Sequence, residues 1–406
     1  MSVCKSCPWT RAGARLLLSV LSLTLGGWGQ SVWANDAMDT LQLHGFISQA
    51  WVVSDHNRFF GPSSEDQGSF QFTEIGLNAS IRPHRDVLLA AQILSRRAGG
   101  ERDDMRPELD HGVFDYQAYA DATTRIGTQI GRFKNPFGFY NQTRDIAFTR
   151  PSILLPQSIY FDRTRSLGLA ADGIAVYGEK RIPLGTFRAQ VGAGRPQIDD
   201  DVSATLGLDG HPGELASDTS FIGQVLYEHP TGNFTAALSA AEVNGTYESS
   251  LPGLNDGQMR FQPWILSLQY DQEFWTLTTE YAIRNVALQG FDAPGVDFDI
   301  AGESWYVQYL RRFHRDWQWL LRYDVLVSNR DDRSGRWLEA RGNGPDHGSY
   351  ARDLAFGLQW RAHPRLLLST EYHYVEGTGW LPNQDNPPDE TQKYWNMWLF
   401  QASWRF

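Results

Sequence analysis

Cysteine is nearly absent from this chain of 406 residues: there are two, Cys4 and Cys7, both ahead of the first apolar run. Residues 1–34 read as a secretory signal peptide. Lys5, Arg11 and Arg15 form its positive start, Leu16 to Leu25 its short apolar core, and Val32-Trp33-Ala34 ends on a small residue suited to cleavage before Asn35. Cleavage removes both thiols, which excludes disulfides and thiolate metal sites from residues 35–406. Long hydrophobic runs are missing too. Outside the N-terminus nothing approaches the roughly 20 apolar residues of a spanning helix. Positive charge is in deficit: 36 Lys and Arg stand against 47 Asp and Glu, a formal net charge of −11. The signal segment carries three positive residues and no negative one, so the remaining chain stands at −14. That balance argues against nucleic acid as a partner.

Signatures of catalysis and metal binding are also lacking. His44, His111, His229, His314, His363 and His373 are dispersed, with no HExxH or other ligand spacing. Gly192, Gly194 and Gly99-Gly100 precede no helix and make no phosphate loop. There is no GxSxG, and Ser369 and His373 share one inward parity rather than facing lipid as a surface hydrolase would require. Asp199-Asp200-Asp201 reads as a solvated loop, with a divalent cation bound on the outside as the alternative. No metal, no cofactor and no enzymatic activity are expected.

What is present is alternation, and the last stretch, Tyr394 to Phe406, shows it best. One face carries Trp398, Phe400, Ala402, Trp404 and Phe406, and the other carries Met397, Leu399, Gln401, Ser403 and Arg405. A period of two belongs to a strand, because successive side chains point to opposite faces. An aromatic face running to the final residue suits a strand whose outside meets lipid. It resembles the C-terminal assembly signal of bacterial outer-membrane barrels, matched here at Phe406, Trp404, Phe400 and Trp398. That resemblance implies the barrel-assembly machinery, outer-membrane lipid and lipopolysaccharide as partners, and the bacterial outer membrane as location.

The same rhythm fills residues 35–406: about 10 alternating residues, a long polar segment, about 10 more, then a very short turn. Counting gives about 16 strands, an even number, so both ends lie on the side of the short turns. The fourth strand is expected over Val113 to Ala122 and the sixth over Ser166 to Glu179. Along several strands the inward parity carries charge, including Arg284, Glu280, Arg322, Asp324 and Glu371. Such residues are costly in a dry core and tolerable in a wet lumen. The expected fold is an all-β, transmembrane antiparallel β-barrel, since backbone in lipid must be satisfied by a helix or a closed barrel.

The longest early insertion, 135–165, is the third long loop by count. It holds Arg144, Arg150, Arg163 and Arg165, with Lys134 before it, against only Asp145 and Asp162. It also holds an apolar middle, Ile153-Leu154-Leu155-Pro156, followed by Ile159, Tyr160 and Phe161. A solvated loop has no use for that patch; a loop packed on the inner wall does. Two readings of its cations stand side by side. They line a constriction together with Arg322, Asp324, Glu280 and Glu371, or they pair with wall carboxylates such as Asp115, Glu280, Asp324 and Glu371 and pin the loop.

The stretch from Gly131 to about Gly194, with GRFKNPFG, TRPS, DGIAVYGE and VGAGRP, resembles the outer-membrane porins of the phosphate-selective and related substrate-specific group. The resemblance implies a third extracellular loop folded inward as a constriction loop, and passive diffusion of small hydrophilic solutes, anions among them. It also implies a homotrimer. The alternatives are an outer-membrane enzyme, or an adhesin or structural barrel without channel activity.

Overall fold

Seventeen strands are hydrogen-bonded in one continuous sheet in the computed structural model, which describes residues 38–99, 105–208, 211–250, 255–291 and 296–406. The signal segment expected at 1–34 lies outside the described residues. The first half of the wall comprises β1 (Gln42–Ser54), β2 (Ser69–His84), β3 (Val87–Ala98), β4 (Pro107–Ala120), β5 (Thr124–Lys134), β6 (Ala170–Ile182), β7 (Gly185–Pro196), β8 (Gly213–Ser217) and β9 (Ser220–Glu228). The second half comprises β10 (Phe234–Ser249), β11 (Gly257–Asp271), β12 (Trp275–Gln289), β13 (Phe298–His314), β14 (Trp317–Val327), β15 (Tyr350–His363), β16 (Leu366–Gly377) and β17 (Tyr394–Arg405). Strands β8 and β9 both pair with β10, over its outer and inner halves respectively, and form one interrupted stave. The wall therefore has 16 staves.

β1 pairs with β2 on one side and with β17 on the other, in register from Phe46↔Arg405 to Ser54↔Met397. That last ladder closes the cylinder and leaves no sheet edge for lipid to meet. Phe406 extends it: its amide donates to the Gly45 carbonyl at 3.0 Å and its carbonyl accepts from the Gly45 amide at 3.1 Å. The Phe406 ring lies 2.2 Å from where a Cβ on Gly45 would stand, so a larger residue there would push the ring aside.

Alternation decides which face is wet. On β17, Trp398, Phe400 and Trp404 point outward and exposed, while Met397, Leu399 and Ser403 are buried inward. Outward Trp264, Tyr281, Tyr323, Phe356 and Trp360 continue the apolar, aromatic band over the second half of the wall.

Two expected boundaries move. The fourth strand begins at Pro107, not Val113, because the charged run before Gly112 pairs with β3 through a bulge: Gln92 faces His111 and Ile93 faces Leu109, leaving Asp110 extra. The sixth wall strand begins at Ala170, not Ser166, because Arg165–Leu169 forms a single helical turn that buries Leu167 and Leu169.

Candidate functional site

The third long loop, 135–169, turns into the barrel and crosses to the far wall. Its first pivot is Gly138, whose φ of +61° favours glycine. A Cβ there would stand 2.2 Å from Tyr160 Oη and 2.8 Å from Glu280 Oε1. The Gly138 amide donates to Ser239 Oγ of β10 at 3.1 Å, and its carbonyl accepts from Gln224 of β9 at 3.0 Å. The last glycine of GRFKNPFG is thus the point where the loop touches the wall.

Three carboxylates and an arginine of the second half of the wall then hold the loop. Glu280 on β12 accepts from Tyr160 Oη (2.6 Å), Tyr306 Oη (2.8 Å), Ser267 Oγ (2.5 Å) and the Phe139 amide (2.9 Å). Glu371 on β16 accepts from the amides of Ile153 (2.7 Å) and Leu154 (3.1 Å). Arg322 on β14, fully buried, donates to Ser152 Oγ and the Leu154 carbonyl at 3.0 Å each and lies 3.5 Å from Glu371. Asp324 accepts from the Ser158 amide at 3.3 Å. Buried polar groups persist when hydrogen-bonded, as all four of these are, and Arg322 with Glu371 forms an ion pair as well. The apolar middle fills the remaining space: Ile153 and Leu154 pack with Val52, Phe72, Trp380 and Trp395, while Leu155, Ile159 and Tyr160 pack with Ile265, Ala282 and Tyr306. Burying each such aliphatic side chain contributes about 1.5–3 kcal/mol.

The loop's own arginines divide. Arg150 is clamped on Glu74 of β2 at 2.8 Å and bonds the Arg144 carbonyl at 3.2 Å. Arg144 bonds the Tyr160 carbonyl at 3.0 Å, and its burial, reinforced by the neighbouring Arg165, lowers its guanidinium to about 10. Arg163 bridges Asp201 (3.0 Å) and Asp385, tying the third loop to the fourth and eighth. Of the nine residues expected along a solute path, Arg144, Arg150, Arg322, Asp324, Glu280 and Glu371 are sealed beneath the loop and line neither cavity described below. The physical reason is that the loop's apolar middle needs cover, and these polar groups satisfy the backbone it buries. Lys134, Arg163 and Arg165 do line cavities.

Those cavities lie on the opposite side: both border β3 to β6, and the larger extends over β1, β2, β7, β9, the turn before β16 and the end of β17. The larger, about 1320 Å³, opens toward the short turns and takes in Gln92, His111, Asp115, Gln129, Lys134 and Tyr177. The smaller, about 510 Å³, lies toward the long loops and takes in Arg96, Asp110, Arg132, Asp162, Arg163 and Arg165. A ring of four charges separates them. Asp110 on the wall bonds Lys134 Nζ at 3.1 Å and Arg165 Nη2 at 3.2 Å, and Asp145 on the loop bonds the same two cations. Gln92 donates to Asp110 at 2.8 Å from the larger cavity's side. Against the cost of burial, Arg165 and Lys134 hold the Asp145 carboxyl well below its usual range. The ring joins the beginning, the middle and the end of the loop to one wall residue.

Asp110 and Asp145 were not among the nine, nor were Arg96 and Asp162. Asp110 faces inward only because of its bulge, which shifts the parity of β4. Arg96 on β3 grips Asp162 with one nitrogen at 2.8 and 2.9 Å and reaches Glu74 at 3.2 Å. Its inward parity was a signal available in the sequence. The His373–Asp353 bond (2.8 Å) has the form of a base and its orienting carboxylate, but the other imidazole nitrogen faces Glu371 at 3.3 Å and no nucleophile.

No protein-family model and no curated protein matches the chain. Solved structures do. The anion-selective porin of Comamonas acidovorans aligns over 90% of this chain and 99% of its own, with TM-score 0.56 and 10% identity. Pseudomonas putida OprB aligns over 92% and 96%, with TM-score 0.55 and 10% identity. Salmonella typhi OmpF, solved in complex with daunomycin, aligns over 90% and 97%, with TM-score 0.55 and 12% identity. At such identities the likeness is one of fold. The chain has the fold of these porins, a closed antiparallel barrel of the architecture found in the bacterial outer membrane.

Proposed function

We propose that the chain is a passive, non-catalytic channel for small hydrophilic solutes, and that solute moves along β3 to β7, between that wall and the inward loop. One observation carries this reading: two charge-lined cavities stand in line on that side, with the ring of Lys134, Asp110, Asp145 and Arg165 between them. On the other side of the lumen the loop's apolar middle packs against the wall. The porin character of the structural neighbours supports it. Lys134 and Arg165 would meet the solute; the six sealed residues would fix the shape of the path. Reconstitution in planar bilayers tests the reading. Discrete conductance steps are expected, and a correctly folded barrel that passes no current would overturn it in favour of an adhesin or structural barrel.

Assembly as a homotrimer belongs to the same proposal. Trp is absent from residues 52–263, although 11 of the 15 Trp residues lie between 264 and 404. Lipid-facing wall favours Trp at its interfaces, so the Trp-free outer face over β2 to β10 fits a neighbouring protomer. Cross-linking between cysteines introduced at outward Ile126 and Val176 tests it, with covalent oligomers expected. Lipopolysaccharide and the barrel-assembly machinery are further proposed partners.

A further inference from the structure

The larger cavity contains a charge imbalance that the channel reading does not use. Its lining includes Arg82, Arg125, Lys134, Arg188, Arg365 and Arg405, against Asp86, Asp115 and Glu179. All three carboxylates are already engaged. Asp115 accepts from Tyr177 Oη at 2.7 Å and from Gln129 at 2.9 Å. Glu179 pairs with Arg181 at 2.8 Å and Arg188 at 3.0 Å, and Asp86 lies 3.3 Å from Arg85. Lys134 belongs to the four-charge ring.

Four guanidinium groups remain. Arg82, Arg125, Arg365 and Arg405 have no carboxylate partner among the described residues, although the chain as a whole is acidic. Arg405 donates to the Pro364 carbonyl at 3.1 Å and stacks on Phe148 of the inward loop, 4.3 Å from the ring centre. All four sit near the short turns: Arg82 before the turn after β2, Arg125 at the start of β5, Arg365 in the turn before β16, Arg405 at the end of β17. They form a collar around the periplasmic mouth of the cavity, with Lys134 at its inner end.

We propose that this vestibule is a binding site for multivalent anions, solutes carrying two or more carboxylate or phosphate groups, reached from the periplasmic side. The inference rests on the channel reading and names the solute class for its inner cavity. Several separated guanidinium groups around about 1320 Å³ suit a ligand whose charges are also separated. Arginine keeps its charge at every relevant pH and its planar fork matches carboxylate and phosphate oxygens. A cavity whose lining carries an excess of one sign of charge, here six cations against three carboxylates, concentrates the opposite ion. A monovalent anion gains one contact, which salt screens within about 10 Å at 0.1 M; a multivalent one gains several together.

Inorganic tripolyphosphate is the probe, applied in turn to each side of single reconstituted channels in KCl, with spermine as the cationic control. Block is expected from the periplasmic side at concentrations well below those needed from the other side, and none by spermine. In the triple variant Arg82→Gln, Arg125→Gln, Arg365→Gln, block weakens by about a hundredfold, on the order of one lost pair of about 1 kcal/mol per arginine. The corresponding triple lysine variant recovers most of it, which separates lost charge from lost folding. Arg352→Gln, whose side chain pairs with Glu376 near the long loops, leaves block unchanged. Equal block in the glutamine variant, or block by spermine, overturns the site while leaving the channel standing. A folded wild-type barrel that passes no current overturns the channel reading and the site with it.

Discussion

The two walls facing the inward loop carry the same kinds of side chain and use them oppositely. Along β12 to β16, Glu280, Arg322, Asp324 and Glu371 are sealed, each bonded to loop amides, carbonyls or hydroxyls. Along β3 to β7, Asp110, Lys134, Asp115 and Gln129 border open space. Inward charge therefore does not by itself mark a solute path. What separates the two roles is whether the loop's apolar middle lies on top. Residues 153–155 cover the second wall, while the stretch around Gln142 to Thr149 that faces the larger cavity is mostly polar.

The contrast can be broken at several places, beginning with the strongest. Replacing Glu371 by Ala leaves two loop amides buried without their acceptor and removes the carboxylate beside the buried Arg322 guanidinium. Losing one member of a buried charged cluster costs about 3–5 kcal/mol. A lower thermal transition and a several-fold larger, noisier single-channel conductance are expected, because the loop detaches from the wall. Wild-type conductance in that variant would contradict a sealed second wall.

The ring on the open side should yield next. Asp110→Asn weakens two ion pairs whose cations are only partly shielded, so the stability cost is smaller, about 1–3 kcal/mol. Conductance should still rise, since the ring that narrows the path between the two cavities would loosen. Comparing current with melting temperature in the two variants distinguishes a clamp from a barrier: Glu371→Ala moves both, whereas Asp110→Asn moves mainly the current.

Acid should loosen the loop by the same logic. Against the cost of burial, Arg96 and Arg144 hold Asp162 low, and Arg165 with Lys134 holds Asp145 low. A carboxyl depressed in the folded state contributes stability that is fully present above its unfolded value, about 3.9, and is lost as pH falls through the folded value. The part of the conductance response that these two carboxyls carry should be absent above about pH 5 and appear only below about pH 4. The Asp145→Asn variant should lack part of that acid step, and an identical acid profile in variant and wild type would count against the assignment.

The smallest effect belongs to Arg163→Gln. It severs contacts to Asp201 and Asp385, whose side chains are about one-fifth exposed, each at 21%. Pairs of this kind at a wet mouth contribute under about 1 kcal/mol. Melting should barely move, and protease sensitivity of the outer loops should increase slightly.

Much of the barrel is legible in a single sequence because its physics is local. A strand shows a period of two, so the 16 staves, the lipid-facing Trp398, Phe400 and Trp404, and the inward Glu371 and Arg322 can all be read without coordinates. The apolar middle of the third loop marks it as packed. The bulge at Asp110 is not legible, because an extra residue in one strand is defined by its neighbour's register, here Gln92 and Ile93 of β3. The helical turn at Arg165–Leu169 escapes for a related reason: its alternation matches a strand, and only packing of Leu167 against Val202 and Leu215 favours the turn.

Sequence alone determined that this chain closes into a cylinder with an apolar outside and a charged inside, and that one loop is too apolar to remain in water. Tertiary structure alone decided which wall that loop covers. The choice depends on contacts between residues more than a hundred positions apart, such as Glu371 with Ile153 and Glu280 with Tyr160. Side-chain parity records only whether a residue faces the lumen, and carries no information about what will lie above it there.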